Sequence, residues 1–270
     1  MSLIYHSYPH IETALRKLPK PVLSAMRVHP YRAVVAGGFL RAISCGNNPV
    51  SDIDIFMMGK DKAEKVKHII DFLSIIHRER WVQKGATWVL TKNAVTIRVE
   101  EQDVQMILGF DCETAQGLID LFDLTISKAA VWMQGQGAGA EQKMDGVCSQ
   151  TFLRDVCQRK IVFDQMPSKA PAIPVTNSIP RICKFLRQGF TIDPPSLMSF
   201  VAQAANCINS AESIGKAVDL IKTATREDGD YPNTDAELEP KPASPNDDQP
   251  EVFRSISELQ QELWAYAARY

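Results

Sequence analysis

Asp52 and Asp54 stand two residues apart with Ile53 and Ile55 interleaved, inside the run Asp52–Met58, DIDIFMM. In a strand this alternation sends both carboxylates to one face and both isoleucines to the other. Carboxylates held side by side form a hard-oxygen site suited to Mg2+ or Mn2+, and two metals ~3.5–4 Å apart are one arrangement such a site serves. Upstream, Gly37-Gly38 closes a compact β-branched run, Tyr31–Ala36. A glycine pair at a strand-to-helix turn lets backbone approach a ligand closely, and its N–H groups can hold phosphate oxygens. Arg41, one helical turn further on, can add a bidentate phosphate contact. Phosphoryl transfer calls for these parts: cations to neutralise a triphosphate and activate an attacking hydroxyl, and donors to hold the phosphates. A DxD or a glycine pair alone is common, but in this order and spacing they point to nucleoside triphosphate binding. The competing accounts are a solvated strand end for the aspartates, a tight turn for the glycines and a surface position for Arg41.

The elements that must position these residues can be read along the chain. Ile11, Leu15, Leu18, Val22 and Leu23 fall near helical spacing up to about Val28, with Pro19 and Pro21 breaking the helix and leaving a second short one over Val22–Val28. Tyr31–Ala36 reads as a buried strand, Phe39–Ser44 as a helix starting at the glycines, and Gly46-Asn47-Asn48-Pro49 as a turn. Asp61–Ile76 is an amphipathic helix with Ala63, Val66, Ile69, Ile70, Leu73 and Ile76 along one side. Thr87–Thr91, Ala94–Val99 and Val104–Leu108 follow as an antiparallel meander, and Thr114–Met133 returns to helix. Gly135–Gly146 reads as a flexible joint, and Ser149–Ile161, Ile179–Gln188 and Pro195–Thr225 as helices around the proline-rich Pro167–Pro174. Arg226–Glu251 is rich in Asp, Glu and Pro and predicts a disordered acidic linker. Phe253–Tyr270 is an amphipathic helix carrying Phe253, Ile256, Leu259, Leu263 and Trp264, either packed in the core or docked on another protein or subunit.

With 270 residues and 45% hydrophobic content, the chain can bury one sizeable core or two modest ones. A net charge of −2 advertises no global field for nucleic acid, so any such contact needs a local patch. The six cysteines are scattered without a CxxC pair, and the five histidines show no metal-ligand spacing. No stretch approaches the ~20 apolar residues of a bilayer span, and the start of the chain lacks the apolar run of a signal peptide. The expectation is a soluble, cytoplasmic protein without a membrane partner.

The run GGFLRA…SDIDIF resembles the GGxVRD…DIDI head motif of class II CCA-adding enzymes and bacterial poly(A) polymerases, and more broadly the DNA polymerase β-type nucleotidyltransferases. The resemblance covers roughly residues 30–135. It implies that Gly37 and Gly38 bind triphosphate, that Asp52 and Asp54 hold metal, and that Arg41 stands at the motif's arginine. Ala42 departs from the motif, which has an aspartate there. Phe122–Ser127 is similar to the RRDFTIN segment of CCA-adding enzymes, with Leu121 and Phe122 in place of its two arginines. Asn93–Ile97, Asp103–Leu108 and Ile179–Phe190 resemble segments of a loosely defined set of phage, viral and ankyrin-linked nucleotidyltransferase-like proteins. An EDxxR-type base-selecting helix is not visible, which argues against CCA addition itself. Active members of the superfamily carry a third carboxylate on a later strand. The matching run here is Val104–Ile107, with Gln105 where that aspartate would sit and Asp103 two residues earlier, on the same face but ~6–7 Å along the strand. Either Asp103 takes the role after a register adjustment or the third position is an amide. Asp123 and Lys128 read as a charge at a helix start or as substrate contacts.

These readings combine into an α/β (α+β) fold: a mixed sheet in a polymerase β-like head over 1–135, a helical region over 136–225, the linker over 226–252 and a terminal helix over 253–270. The expected function is Mg2+- (or Mn2+-) dependent transfer of a nucleotidyl group from an NTP to a hydroxyl of an acceptor that is RNA, protein or a small molecule. Catalysis falls to Asp52, Asp54 and Asp103, metal binding to Asp52 and Asp54, and triphosphate binding to Gly37, Gly38 and Arg41. The rival is a catalytically degenerate, nucleotide-binding or assembly subunit. A phage-encoded chain of either kind would work in the host cytoplasm.

Overall fold

A computed structural model describes residues 5–46, 52–59, 61–78, 88–91, 94–100, 102–110, 112–135, 143–164, 175–207, 251–253 and 255–269. The strand that carries the aspartates, β3 (Ile53–Met57), runs through the middle of a mixed sheet. On one side it pairs antiparallel with β2 (Ala33–Ala36), and on the other parallel with β6 (Gln102–Ile107). β6 continues through β5 (Ala94–Val99) to β4 (Trp88–Leu90) as the antiparallel meander the alternation predicted. Beyond β2 lie β7 (Ala129–Gln134), β8 (Lys143–Ser149) and β1 (Tyr5–Ser7), all antiparallel. β11 (Glu251–Phe253) pairs with the outer edge of β4 and completes the nine strands. β9 (Lys160–Ile161) and β10 (Thr191–Ile192) make a separate parallel pair.

Helices cover both faces. Ile53, Ile55, Val104, Met106, Ala129 and Val131 face the larger apolar layer, which is built with α1 (Ile11–Lys17), α2 (Lys20–Val28), α3 (Gly38–Ser44) and α4 (Lys62–Arg78). Pro21 sits in the first turn of α2, where its missing N–H has no intrahelical acceptor to lose. The opposite face is smaller: Val34, Ala36, Phe56 and Ala130 pack against Leu118 and Ile119 of α5 (Ala115–Asp120), whose start Thr114 caps through Gly117 N–H at 3.0 Å. Phe56, Phe110 and Phe122 meet edge-on or tilted at 5.3–5.8 Å between centroids, filling this layer.

Four expectations are corrected. Thr114–Met133 is not one helix: α5 is followed by a 3₁₀ turn, Thr125–Ser127, and then by β7. Ala129, Ala130 and Met133 favour helix in isolation, but a strand buried between β2 and β8 is decided by packing. The head does not end at 135, because β8 belongs to its sheet, and the region after it mixes strands with α6 (Phe152–Cys157), α7 (Val175–Arg187) and α8 (Pro194–Cys207). The end of the expected linker is β11, which satisfies the backbone edge of β4. The terminal helix, α9 (Ile256–Arg269), packs within the chain, with Leu259 and Leu263 fully buried and Gln260 donating to Ser74 of α4 at 3.1 Å. Burying two leucines is worth roughly 1.5–3 kcal/mol each, so the core takes the apolar stripe that could have docked elsewhere. The short β1 was not foreseen. Asn47–Pro49, Pro167–Pro174, 136–142 of the joint, and the stretch 208–250 that holds most of the acidic segment lie outside the described residues.

Candidate nucleotide and metal site

The two aspartates emerge from β3 onto the smaller face of the sheet, since Ile53 and Ile55 occupy the other. Both are nearly buried, at 7% and 8% exposure for Asp52 and Asp54. The turn after β2 lies against them. Gly37 has φ +79° and ψ −130°, a conformation that penalises any side chain, and a Cβ placed there would stand 3.7 Å from Asp54 Oδ2. The backbone of the glycine pair and the carboxylate of Asp54 are therefore close neighbours, although 17 positions separate Gly37 from Asp54 in the sequence. Gly37 N–H donates to the Ala129 carbonyl at 3.4 Å, so one of the N–H groups assigned to phosphate by the sequence reading is engaged with β7. Gly38 opens α3 and is buried.

The third position of the site is occupied by Gln105, not by Asp103. The parallel register sets Asp54 opposite Gln105 and Ile53 opposite Val104. Gln105 is 2% exposed and its Nε2 donates to Asp52 Oδ2 at 2.8 Å. A carboxylate can only accept this bond, which fixes the orientation of the amide and identifies the other end as Oε1. That carbonyl oxygen is buried and has no hydrogen-bond partner among the described residues. Asp103 is paired directly with Arg98 of the neighbouring strand β5, and the two form an ion pair at 3.4 Å with side chains 37% and 61% exposed. The register adjustment that would have carried Asp103 inward does not occur, because the cross-strand arginine takes its carboxylate.

Arg41 is not a surface arginine. It is 8% exposed, and its guanidinium carbon stands 4.3 Å from the ring centroid of Phe185 on α7. A second contact ties α7 to the segment between α5 and β7. Asp123, fully buried, accepts from Arg181 at 2.6 Å and from the Ser178 hydroxyl, while Arg181 also donates to Ser127 at 3.3 Å. Asp123 is thus an anchor between regions, neither of the roles read from the sequence. Lys128 pairs with Asp164 at 2.8 Å. Ser178, Arg181 and Phe185 fall three and four residues apart, one stripe of α7. That helical spacing is the signal the sequence offers for this contact.

The residues present fit a divalent cation in one respect. Mg2+ takes oxygen ligands and often only one or two protein carboxylates, with phosphates and water completing its shell. Asp52 and Asp54 provide that pair, and the uncommitted Gln105 Oε1 is a further buried oxygen beside it. No cluster of three or more His, Cys, Asp or Glu that could hold a metal occurs among the described residues.

The mixed α/β fold resembles that of CCA-adding enzymes. A CCA-adding enzyme solved in complex with ATP superposes with a TM-score of 0.51 at 14% identity, covering 84% of this chain and 52% of that one. The Thermotoga maritima CCA-adding enzyme complexed with tRNA gives 0.47 at 14% identity, covering 82% and 51%, and a tRNA-processing enzyme complex gives 0.47 at 19%, covering 77% and 52%. The chain thus spans about half the length of these structures. A family profile matches residues 11–159, more than half of the sequence, and the chain belongs to the Gabija anti-defense 2 family. No curated protein sequence matches it. No helix among the described residues is long and apolar enough to cross a membrane.

Proposed function

We propose that this protein is a divalent-metal-dependent nucleotidyltransferase that moves a nucleotidyl group from an NTP to an acceptor hydroxyl. The observation that carries this reading is the juxtaposition of a glycine turn, Gly37, with Asp54 of a buried Asp52/Asp54 pair, on a fold shared with an enzyme solved with ATP. Asp52 and Asp54 would hold Mg2+ or Mn2+, which when bound neutralises triphosphate charge and favours attack by the acceptor oxygen. Gly37 and Gly38 leave room for phosphates against the backbone, and Arg41, braced on Phe185, presents a fixed positive charge to them. RNA, protein and small molecules remain the acceptor classes. The family's name directs the search to components of the Gabija defence, where a covalent nucleotidyl mark would act as the counter-measure.

One observation favours a second reading, a nucleotide-binding head without turnover: an amide, Gln105, stands where a carboxylate base would be needed. The test is incubation with labelled NTPs, Mg2+ or Mn2+ and pools of defence protein, RNA and small-molecule acceptors. Metal-dependent covalent label that disappears in Asp52→Ala/Asp54→Ala is the expected result. NTP binding without transfer would select the second reading. Binding that ignores both metal and the double substitution would remove both.

A further inference from the structure

The formal charge of the chain is unevenly placed. Residues 226–250 carry eight carboxylates against two cations, a net −6, whereas the whole chain stands at −2. Everything else therefore holds +4, and residues 11–32 carry all of that excess, with five cations and one carboxylate, Glu12. The remaining charges balance. In the structure the basic stretch forms α1, α2 and the turn after them, lying outside the larger apolar layer. Arg16, Lys20, Arg27 and Arg32 are exposed, although Arg16 is bridged to Glu12 at 3.5 Å and Arg32 to Glu64 at 2.7 Å. Lys20 and Arg27, seven residues apart, share one side of α2. Val28 and Tyr31 follow at 61% and 45% exposure, so this surface alternates cations with apolar side chains.

The acidic segment has the inverse pattern: Asp230 adjoins Tyr231, and Glu237 and Glu239 flank Leu238. The segment ends where β11 pairs with β4. The helix that follows, α9, packs against α4, which in turn packs against α2. Packed helices lie ~8–10 Å apart, which puts α2 within ~16–20 Å of α9. From Glu239 to Glu251 the chain can extend ~40 Å, so the carboxylates up to Glu239 reach α2 without strain. Single surface ion pairs are weak, but a tether supplies an effective concentration on the order of mM and six carboxylates lie in 227–239. We infer that the stretch 227–239 docks on the exposed side of α2, its carboxylates around Arg16, Lys20 and Arg27 and its apolar side chains against Val28 and Tyr31. The contact withholds a basic surface from nucleic acid and other polyanions that its field would otherwise attract.

Zero-length carbodiimide coupling, which joins a lysine amine to a carboxylate in contact with it, reads the docking on the full-length protein. Mass spectrometry of the monomeric fraction should find Lys20 joined to carboxylates within 227–239 at low salt. At about 1 M NaCl, where charges are screened within ~3 Å, these links should vanish. Arg16→Glu/Arg27→Glu, which leaves Lys20 in place, should reduce them at low salt, with thermal melts verifying that the variant folds. The second readout is binding of a labelled oligo(dT). Replacing the carboxylates of 227–239 by their amides should tighten it ~10-fold, and adding Arg16→Glu/Arg27→Glu should cancel the gain. Absence of the Lys20 links, links that survive high salt, or equal coupling to Lys143, Lys160 and Lys184 would overturn the assignment. So would links confined to a dimeric fraction, which would make a second copy the occupant. Oligo(dT) binding that ignores the amide replacements, or a gain that the α1–α2 substitutions leave untouched, would overturn the shielding.

Discussion

Arg181→Met isolates the contact that fixes α7 to the segment between α5 and β7. The Asp123 carboxylate is fully buried and is held by the Arg181 guanidinium at 2.6 Å and by the Ser178 hydroxyl, and the Arg181 side chain is 14% exposed. Methionine keeps most of the arginine's volume but leaves Asp123 ionised in the interior with one neutral donor. Breaking one side of a buried pair costs ~3–5 kcal/mol, well above the ~0–1 kcal/mol of a surface pair. For a chain of 270 residues, with ~2–4 °C per kcal/mol, the melting temperature should fall by roughly 6–20 °C. Asp123→Leu/Arg181→Met removes both charges and should recover at least half of the loss. Full recovery is not expected, because Ser178 and Ser127 lose their acceptor or donor, at about 1 kcal/mol each. Urea unfolding of the two single variants and the double variant gives the coupling energy directly. An Arg181→Met cost below ~1 kcal/mol, or strict additivity in the double variant, would show that the contact behaves as a solvated pair and that the argument from burial is wrong. If Arg41 holds phosphate as proposed, Arg181→Met should also weaken binding of a non-hydrolysable ATP analogue, because Phe185, under Arg41, rides on the same helix.

Gly37→Ala should destabilise the protein by ~1–3 kcal/mol in urea unfolding. The added Cβ meets Asp54 Oδ2 at an ordinary 3.7 Å, so the cost comes from the positive φ and not from a clash. Leu263→Ala should cost ~2–5 kcal/mol, whereas Trp264→Ala, at a position 47% exposed, should cost much less. Equal effects would mean that α9 is not seated on α4 through its leucine side. The pH dependence has a defined sign. Burial first, and then the neighbouring His68 for His29 and the Arg32 guanidinium for His68, hold both imidazoles below their ordinary range. Stability is therefore complete above about pH 6.5 and is lost as pH falls from there toward the depressed values, because the unfolded chain takes up protons first. The slope is at most ~1.4 kcal/mol per pH unit for each histidine, and His29→Gln/His68→Gln should flatten it in unfolding curves measured between pH 7 and pH 5.

What could be read from sequence was what is local. Strand alternation at Asp52–Met58, the amphipathic side of Asp61–Ile76 and the meander of three short runs each declare themselves within a few residues, and each appears in the structure. β7 could not be read in this way. AAVWMQ has neither the alternation of a half-buried strand nor an apolar side at helical spacing, because both of its faces are covered and its neighbour β2 is supplied by a distant segment. β11 is a three-residue strand whose only reason to exist is the open edge of β4, more than 150 positions earlier. The terminal helix shows the same limit from the other side. Its apolar stripe was plain, but whether the chain itself or a partner covered it depended on where α4 lay.

The site divides along the same line. The aspartates and glycines suggest a chemistry through spacing on single elements, but the identity of the third group is set by register between β3 and β6, strands separated by α4, β4 and β5. Shifting that parallel pairing by two residues would keep every apolar side chain on its face, since the period of a strand is two, and would exchange Asp103 for Gln105 opposite Asp54. Burial alone therefore could not choose between them. The neighbouring strand distinguishes them: on β5, Arg98 pairs with Asp103 and supplies it with a counter-charge at the exposed end, while Thr96 faces Gln105. A buried amide needs no counter-ion and a buried carboxylate does, so the observed register places the neutral residue inside and the charged one at the rim.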